Sequence, residues 1–102
     1  MTIAPGVELD EATIADFCRR HRITKLSVFG SVLRDTFHAE SDVDFLFERE
    51  PGTPFGLFEL VRMERELSEL IGRRADMGTP SSLSEYIRDR VLAEAETIYV
   101  HR

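Results

Sequence analysis

Apolar residues recur along this chain in two rhythms, one helical and one alternating, and the boundaries between them fall at glycine, proline and small polar residues. Ile14, Phe17, Cys18 and His21 repeat at helical spacing, which predicts a helix from a cap at Asp10 to about His21. Glu11 and Asp16 lie early in it and Arg19 and Arg20 late, as the helix dipole favours. Lys25 to Phe29 reads as a short strand ended by Gly30, and Ser31 to about Thr36 as a brief helix or turn. Asp42 to Phe47 is a second strand, and Pro51, Gly52, Thr53 and Pro54 break the chain after it. Phe55 to Ile71 then predicts a long helix, with Leu57, Leu60, Val61, Leu67 and Ile71 on one stripe and Gly72 as its stop. Arg74 to Met77 carries too little pattern to define a strand by itself. Ser82 followed by Glu85 has the capping-box spacing and opens a last helix to about Ala93. Thr97 to Val100 forms a final strand of β-branched and aromatic residues. Met1 to Val7, with Pro5 and Gly6, reads as a loose lead-in.

Helices alternating with short strands imply a sheet covered by helices. The expected class is α+β, a two-layer α/β arrangement with a small mixed sheet of about four strands. The sheet is mixed because the Asp42 strand has room to pair antiparallel with its neighbour. The 102 residues suit one domain, 1–102, with a modest core.

Composition narrows the function classes. At 42% hydrophobic and 31% charged residues the chain should be globular. No apolar run approaches the roughly 18 residues that span a bilayer, and Met1 to Asp10 lacks a basic-then-apolar leader pattern. The expectation is therefore a cytoplasmic protein with no membrane partner. Cys18 has no second cysteine to pair with. The formal net charge of −6 argues against direct nucleic-acid binding, because phosphates repel an acidic surface. An acidic chain that binds a polyanionic nucleotide needs cations at the site, which bound metal ions supply.

Asp42-Val43-Asp44 is the first chemical candidate. Alternate residues of a strand share a face, so Asp42 and Asp44 project together while Val43, Phe45 and Phe47 face the other way. Two carboxylates about 4 Å apart repel by about 1 kcal/mol in water and about 4 kcal/mol at an effective dielectric of 20. A divalent cation reverses that sign, and oxygen-only ligands suit Mg²⁺. Taken alone, the pair reads more simply as a turn-capping Asp42 beside a solvated Asp44.

Gly30-Ser31 is the second. It follows the apolar Leu26, Val28 and Phe29 and precedes a short helical stretch. Glycine permits close backbone approach, and a serine at a helix start with free N–H groups is an anion site. Alone, this too is an ordinary strand-ending turn with a serine cap.

Together the two halves read Gly30-Ser31, ten residues, then Asp42-Val43-Asp44, with an apolar strand in each half. This resembles the nucleotidyltransferase superfamily of the DNA polymerase β type. The chain length and tight spacing look most like the minimal nucleotidyltransferases, many of which are antitoxins paired with a HEPN-domain toxin. The resemblance spans nearly the whole chain. Arg73-Arg74-Ala75-Asp76-Met77-Gly78-Thr79-Pro80 resembles the third carboxylate strand of that family, which implies a nucleotidyltransferase fold, a strand at Arg74 to Met77 and Asp76 as the third acidic residue.

The resemblance implies roles residue by residue. Asp42, Asp44 and Asp76 would be the catalytic carboxylates and would bind two Mg²⁺ ions, with Asp76 also helping to deprotonate the acceptor hydroxyl. Gly30 and Ser31 would hold the β- and γ-phosphates of ATP. Arg34, one helical turn past Ser31, would reach them or else form a surface ion pair. The family points to transfer of AMP to a tyrosine of a HEPN RNase toxin, which is both partner and acceptor. Two other readings stay open: an antitoxin that acts by binding alone, and a nucleotidyltransferase subunit acting on a small molecule or an RNA end.

The remaining candidates carry plainer readings. His38 is a polar loop residue, His21 a helix-end cation, Cys18 a core residue, and Glu64-Arg65-Glu66 a solvated helix face. Phe55 and Phe58 are apolar positions expected at the surface, where they could serve an interface.

Overall fold

The computed structural model describes residues 1–101. The elements are β1 (Thr2–Ala4), β2 (Val7–Glu8), α1 (Glu11–Arg20), β3 (Ile23–Phe29), β4 (Val43–Arg49), α2 (Leu57–Ile71), β5 (Ala75–Gly78), α3 (Glu85–Glu94) and β6 (Glu96–Val100). Two short 3-10 turns, Gly30–Leu33 and Pro80–Ser82, complete them. Among the described residues no helix is long and apolar enough to cross a membrane.

Four strands form a mixed sheet in the order β5-β4-β3-β6. β3 pairs antiparallel with both β4 and β6, and β4 pairs parallel with β5. The α+β class and the mixed sheet are as the pattern predicts. Ser27 and Leu46 are buried on one face of the sheet, and alternation sends Val43, Phe45 and Phe47 of β4 and Leu26 and Val28 of β3 to the other. The latter meet Ile14, Phe17 and Cys18 of α1 and Met63 and Leu67 of α2 in one buried cluster. Each of the large side chains in this cluster contributes about 1.5–3 kcal/mol relative to exposure.

The helix ends follow local chemistry. Asp10 caps α1 by accepting from the Thr13 N–H at 3.1 Å. Gly72 closes α2 with φ +76, its N–H donating to Ser68 O at 3.0 Å. The chain leaves α1 through Arg22, a non-glycine residue at φ +57, a conformation that costs about 1–2 kcal/mol. Tertiary bonds hold it there. The Glu50 N–H donates to Arg22 O at 3.0 Å, and Arg49 Nε donates to His21 O at 2.9 Å.

Four expectations need correction. Met1 to Val7 is not a loose lead-in: Pro5 and Gly6 (φ +80) turn β1 back on β2, and Val7 and Leu9 are buried. The stripe of α2 that enters the core is Leu60, Met63, Leu67 and Ile71, while Leu57 and Val61 are exposed. Burial follows the side of the helix that meets the sheet, and Leu57 and Val61 sit off it. The cap of α3 is Ser84, which accepts from the Tyr86 N–H at 3.3 Å. Ser82 does not pair with Glu85, because its hydroxyl is already bonded to the Thr79 backbone. Finally, Glu64 and Glu66 do not form a solvated face. Glu66 takes ion pairs from Arg20 at 2.5 Å and His21 at 2.6 Å, and Glu64 bonds to β5; Arg65 alone of the three is exposed. Charged residues on a helix read as solvent-facing only until another element packs against them. Cys18 is core, as expected, and Phe55 and Phe58 are exposed.

Candidate active site

Asp42 is the last residue before β4, and Asp44 lies two residues on, so both leave the chain on the same face. That face is opposite to the one carrying Val43, Phe45 and Phe47 into the core. The parallel register then sets Asp44 directly across from Asp76 on β5. On the other side, Phe29 at the end of β3 is the partner of Asp44, and the chain turns at Gly30. The three sequence-predicted carboxylates and Gly30 therefore converge from three strands. The site is an open surface: the side chains of Asp42 and Asp76 are 42% and 43% exposed.

Gly30 is required by geometry twice over. Its φ is +78, and a Cβ built on it would lie 2.5 Å from Asp44 Oδ2. The backbone of the turn thus runs against the Asp44 carboxylate.

The electrostatics match the crowding. Burial pushes the Asp44 carboxyl above its ordinary range, and the neighbouring Asp76 and Asp42 charges push it further the same way. The cluster draws a cation. Arg74 Nε lies 3.5 Å from Asp76 Oδ1 and 3.8 Å from Asp42 Oδ2. Among the described residues no three carboxylate, imidazole or thiol groups close around one point as a finished metal cage. The donors are all hard oxygens. Mg²⁺ uses one or two carboxylates and completes its shell with water and substrate phosphate oxygens, so a cluster open to solvent is the arrangement such a site needs.

The strand that carries Asp76 is held from outside by side chains. β5 is an edge strand, and its outward N–H groups at Ala75 and Met77 have no neighbouring strand. Ser68 Oγ accepts from the Ala75 N–H at 2.9 Å, and Glu64 Oε2 accepts from the Met77 N–H at 2.8 Å. These two residues stand one turn apart on α2 and complete the edge with side-chain acceptors. Arg73 Nη1 donates to His38 O and Ser41 O, each at 3.1 Å, and its guanidinium lies 4.6 Å over the Phe37 ring. It pins the loop that delivers Asp42. Sequence reasoning missed Glu64, Ser68 and Arg73. The only signal was the spacing of Glu64 and Ser68 by four residues, which is common on any helix.

Ser31 and Arg34 are the remaining site residues expected from the sequence. Ser31 follows Gly30 in a 3-10 segment that ends at Leu33 and continues as a turn to Thr36, the brief helix or turn expected there. Arg34 is extended (φ −126, ψ 161) and pairs with Glu94 of α3 at 3.3 Å. Its N–H donates to Ser31 O at 2.9 Å, one turn on, while its side chain forms the surface ion pair that was the alternative reading. His38 is a loop residue, with Nδ1 accepting from the Glu40 N–H at 3.2 Å.

Known proteins match this chain in sequence and in fold. The family model for the nucleotidyltransferase domain matches residues 11–98. Protein adenylyltransferase MntA of Thermococcus cleftensis is 36% identical over 83 residues, which is 79% of this chain and 78% of that protein. A crystal structure of a toxin–antitoxin with AMP-PNP superposes with a TM-score of 0.72 at 18% identity, over 92% of this chain and 76% of that one. A structure of a tri-AMPylated HEPN toxin in complex with its MNT antitoxin, from Shewanella oneidensis, has a TM-score of 0.59 at 14% identity, over 88% of this chain and 69% of that one.

Proposed function

This chain belongs to the nucleotidyltransferase domain family, and from that premise we propose that it is an antitoxin that transfers AMP from ATP to a tyrosine hydroxyl of a partner HEPN RNase toxin, with two Mg²⁺ ions at Asp42, Asp44 and Asp76. The observation that carries the reading is the register of Asp44 with Asp76, which sets the third carboxylate beside the first two next to the Gly30 turn. The adenylyltransferase name of a 36% identical relative supports AMP as the transferred group. The AMP-PNP and AMPylated-toxin structures of the same fold support ATP as donor and a HEPN protein as acceptor.

In the reaction the acceptor oxygen attacks the α-phosphorus of ATP, its proton passes to a carboxylate of the site, and the bond to the departing pyrophosphate breaks. Divalent metal, when bound, stabilises the attacking and leaving oxygens of such an in-line displacement. The chain's own share is positioning. Asp42, Asp44 and Asp76 would hold the metals, and Asp76 would also help to take the proton of the acceptor hydroxyl. The turn at Gly30 and Ser31 lets backbone and hydroxyl approach the β- and γ-phosphates. Cytoplasmic location accords with a toxin that cleaves RNA.

The test is transfer of labelled AMP from ATP to a co-expressed HEPN partner by wild type and by the Asp42→Ala, Asp44→Ala double variant, with circular dichroism as the check on folding. Loss of transfer in a folded double variant is expected. Labelling that persists in it overturns the site. A wild type that transfers nothing and still neutralises the toxin points to an antitoxin acting by binding.

A further inference from the structure

We infer that Arg74 is a resident counter-ion of the carboxylate cluster, one that holds Asp42 and Asp76 toward each other in the metal-free protein and passes to the nucleotide triphosphate when metal takes its place. This rests on the metal-and-nucleotide reading of the site. The geometry is specific. Arg74 stands immediately before β5, two residues ahead of Asp76. The Val43 N–H donates to Arg74 O at 2.9 Å, which locks the backbone of residue 74 beside the start of β4. From there a single atom, Nε, lies over the gap between Asp42 and Asp76, at 3.8 and 3.5 Å from their oxygens.

Both distances exceed a good hydrogen bond. The guanidinium is therefore held by the joint field of two carboxylates and not by a tight fork with either. The side chain is 73% exposed, so it can leave without opening the fold. The other arginines around the site are committed elsewhere, Arg73 to the His38–Ser41 loop and Arg34 to Glu94. Arg74 is thus the exposed positive charge paired with the cluster among the described residues.

Charge balance says where it goes. Three carboxylates and a triphosphate together carry more negative charge than two divalent ions cancel. A guanidinium displaced from the carboxylates by metal stands at the edge of that excess. It suits phosphate oxygens, which it binds in a planar, two-pronged manner. Arg74 would therefore weaken metal binding in the absence of nucleotide and strengthen nucleotide binding in the presence of metal, so that the site fills with the two together.

The experiment measures two affinities in the full chain for wild type, Arg74→Ala, Arg74→Lys and Asp44→Asn. The first is Mn²⁺ alone, read by electron paramagnetic resonance of the free ion. The second is AMP-PNP at saturating Mg²⁺, read by calorimetry. An exposed ion pair of this kind is worth about a two- to fivefold change in affinity. Arg74→Ala should bind Mn²⁺ alone about two- to fivefold more tightly and AMP-PNP more weakly by at least that factor, with Arg74→Lys between it and wild type. Unchanged or weaker Mn²⁺ binding by Arg74→Ala overturns the counter-ion role, and so does unchanged nucleotide affinity. Asp44→Asn should weaken Mn²⁺ binding. If it does not, the carboxylate site itself is wrong, a failure distinct from that of Arg74.

Discussion

Asp44 Oδ2 occupies the space in which a side chain on Gly30 would begin, 2.5 Å from the position of its Cβ. The Gly30 turn and the central carboxylate are therefore one packed unit, and a change at either is felt at the other. The consequences of this and of three other contacts can be measured.

Gly30→Ala should cost about 1–2 kcal/mol of stability, because alanine resists φ +78. The larger effect should fall on activity. The methyl group must displace the Asp44 carboxylate, and a misplacement on the order of 1 Å costs about a hundredfold. AMP transfer measured beside a urea unfolding curve separates the two. Near-wild-type transfer would mean that the Asp44 position is unimportant.

Glu64→Ala should slow transfer although Glu64 lies on α2, away from the carboxylate face. It removes the acceptor for the Met77 N–H, and an unpaired buried donor costs about 1–3 kcal/mol. The edge of β5 should loosen, and Asp76 with it. Hydrogen exchange at Met77 should quicken in the variant while the amides of β3 keep their protection.

Asp44→Asn should raise the melting temperature at neutral pH. The folded-state pKa of Asp44 is raised above the unfolded one, so the unfolded chain loses its proton first as pH rises. Stability falls through that window and the penalty is complete above the folded pKa. Asparagine carries no such penalty. The gain over wild type should therefore shrink as pH drops from above the raised folded value toward the ordinary aspartate value, and vanish below that. A gain that is independent of pH would have a cause other than charge crowding.

Cys18 should be inert to thiol reagents in the folded protein. It is fully buried on α1, and burial pushes its thiol up to about 12. Its modification rate should track unfolding across a denaturant series, and rapid labelling without denaturant would contradict the packing of α1.

How much of this was legible in the sequence differs residue by residue. Helices α1 and α2 follow from periodicity, because one face of each is buried and the other is not, whereas α3 buries no residue and was marked only by its small polar start. The β1–β2 hairpin was not legible: Pro5 and Gly6 mark a turn as readily as a ragged end, and only the burial of Val7 and Leu9 beneath the core decides between them. Glu64 and Glu66 read as solvated because charge on a helix is usually so. Their partners, Met77, Arg20 and His21, come from distant parts of the chain.

The same division runs through the site. Asp42 and Asp44 share a face because strand residues two apart always do, and Gly30 follows an apolar strand in plain view. Those are local facts, which the sequence by itself determines. That Asp76 stands opposite Asp44, that Arg74 lies between Asp76 and Asp42, and that Arg34 turns to Glu94 are decided only by tertiary structure. Each depends on which strands and helices pair and in what register. That choice is made by burial summed over the whole core, which no local spacing records.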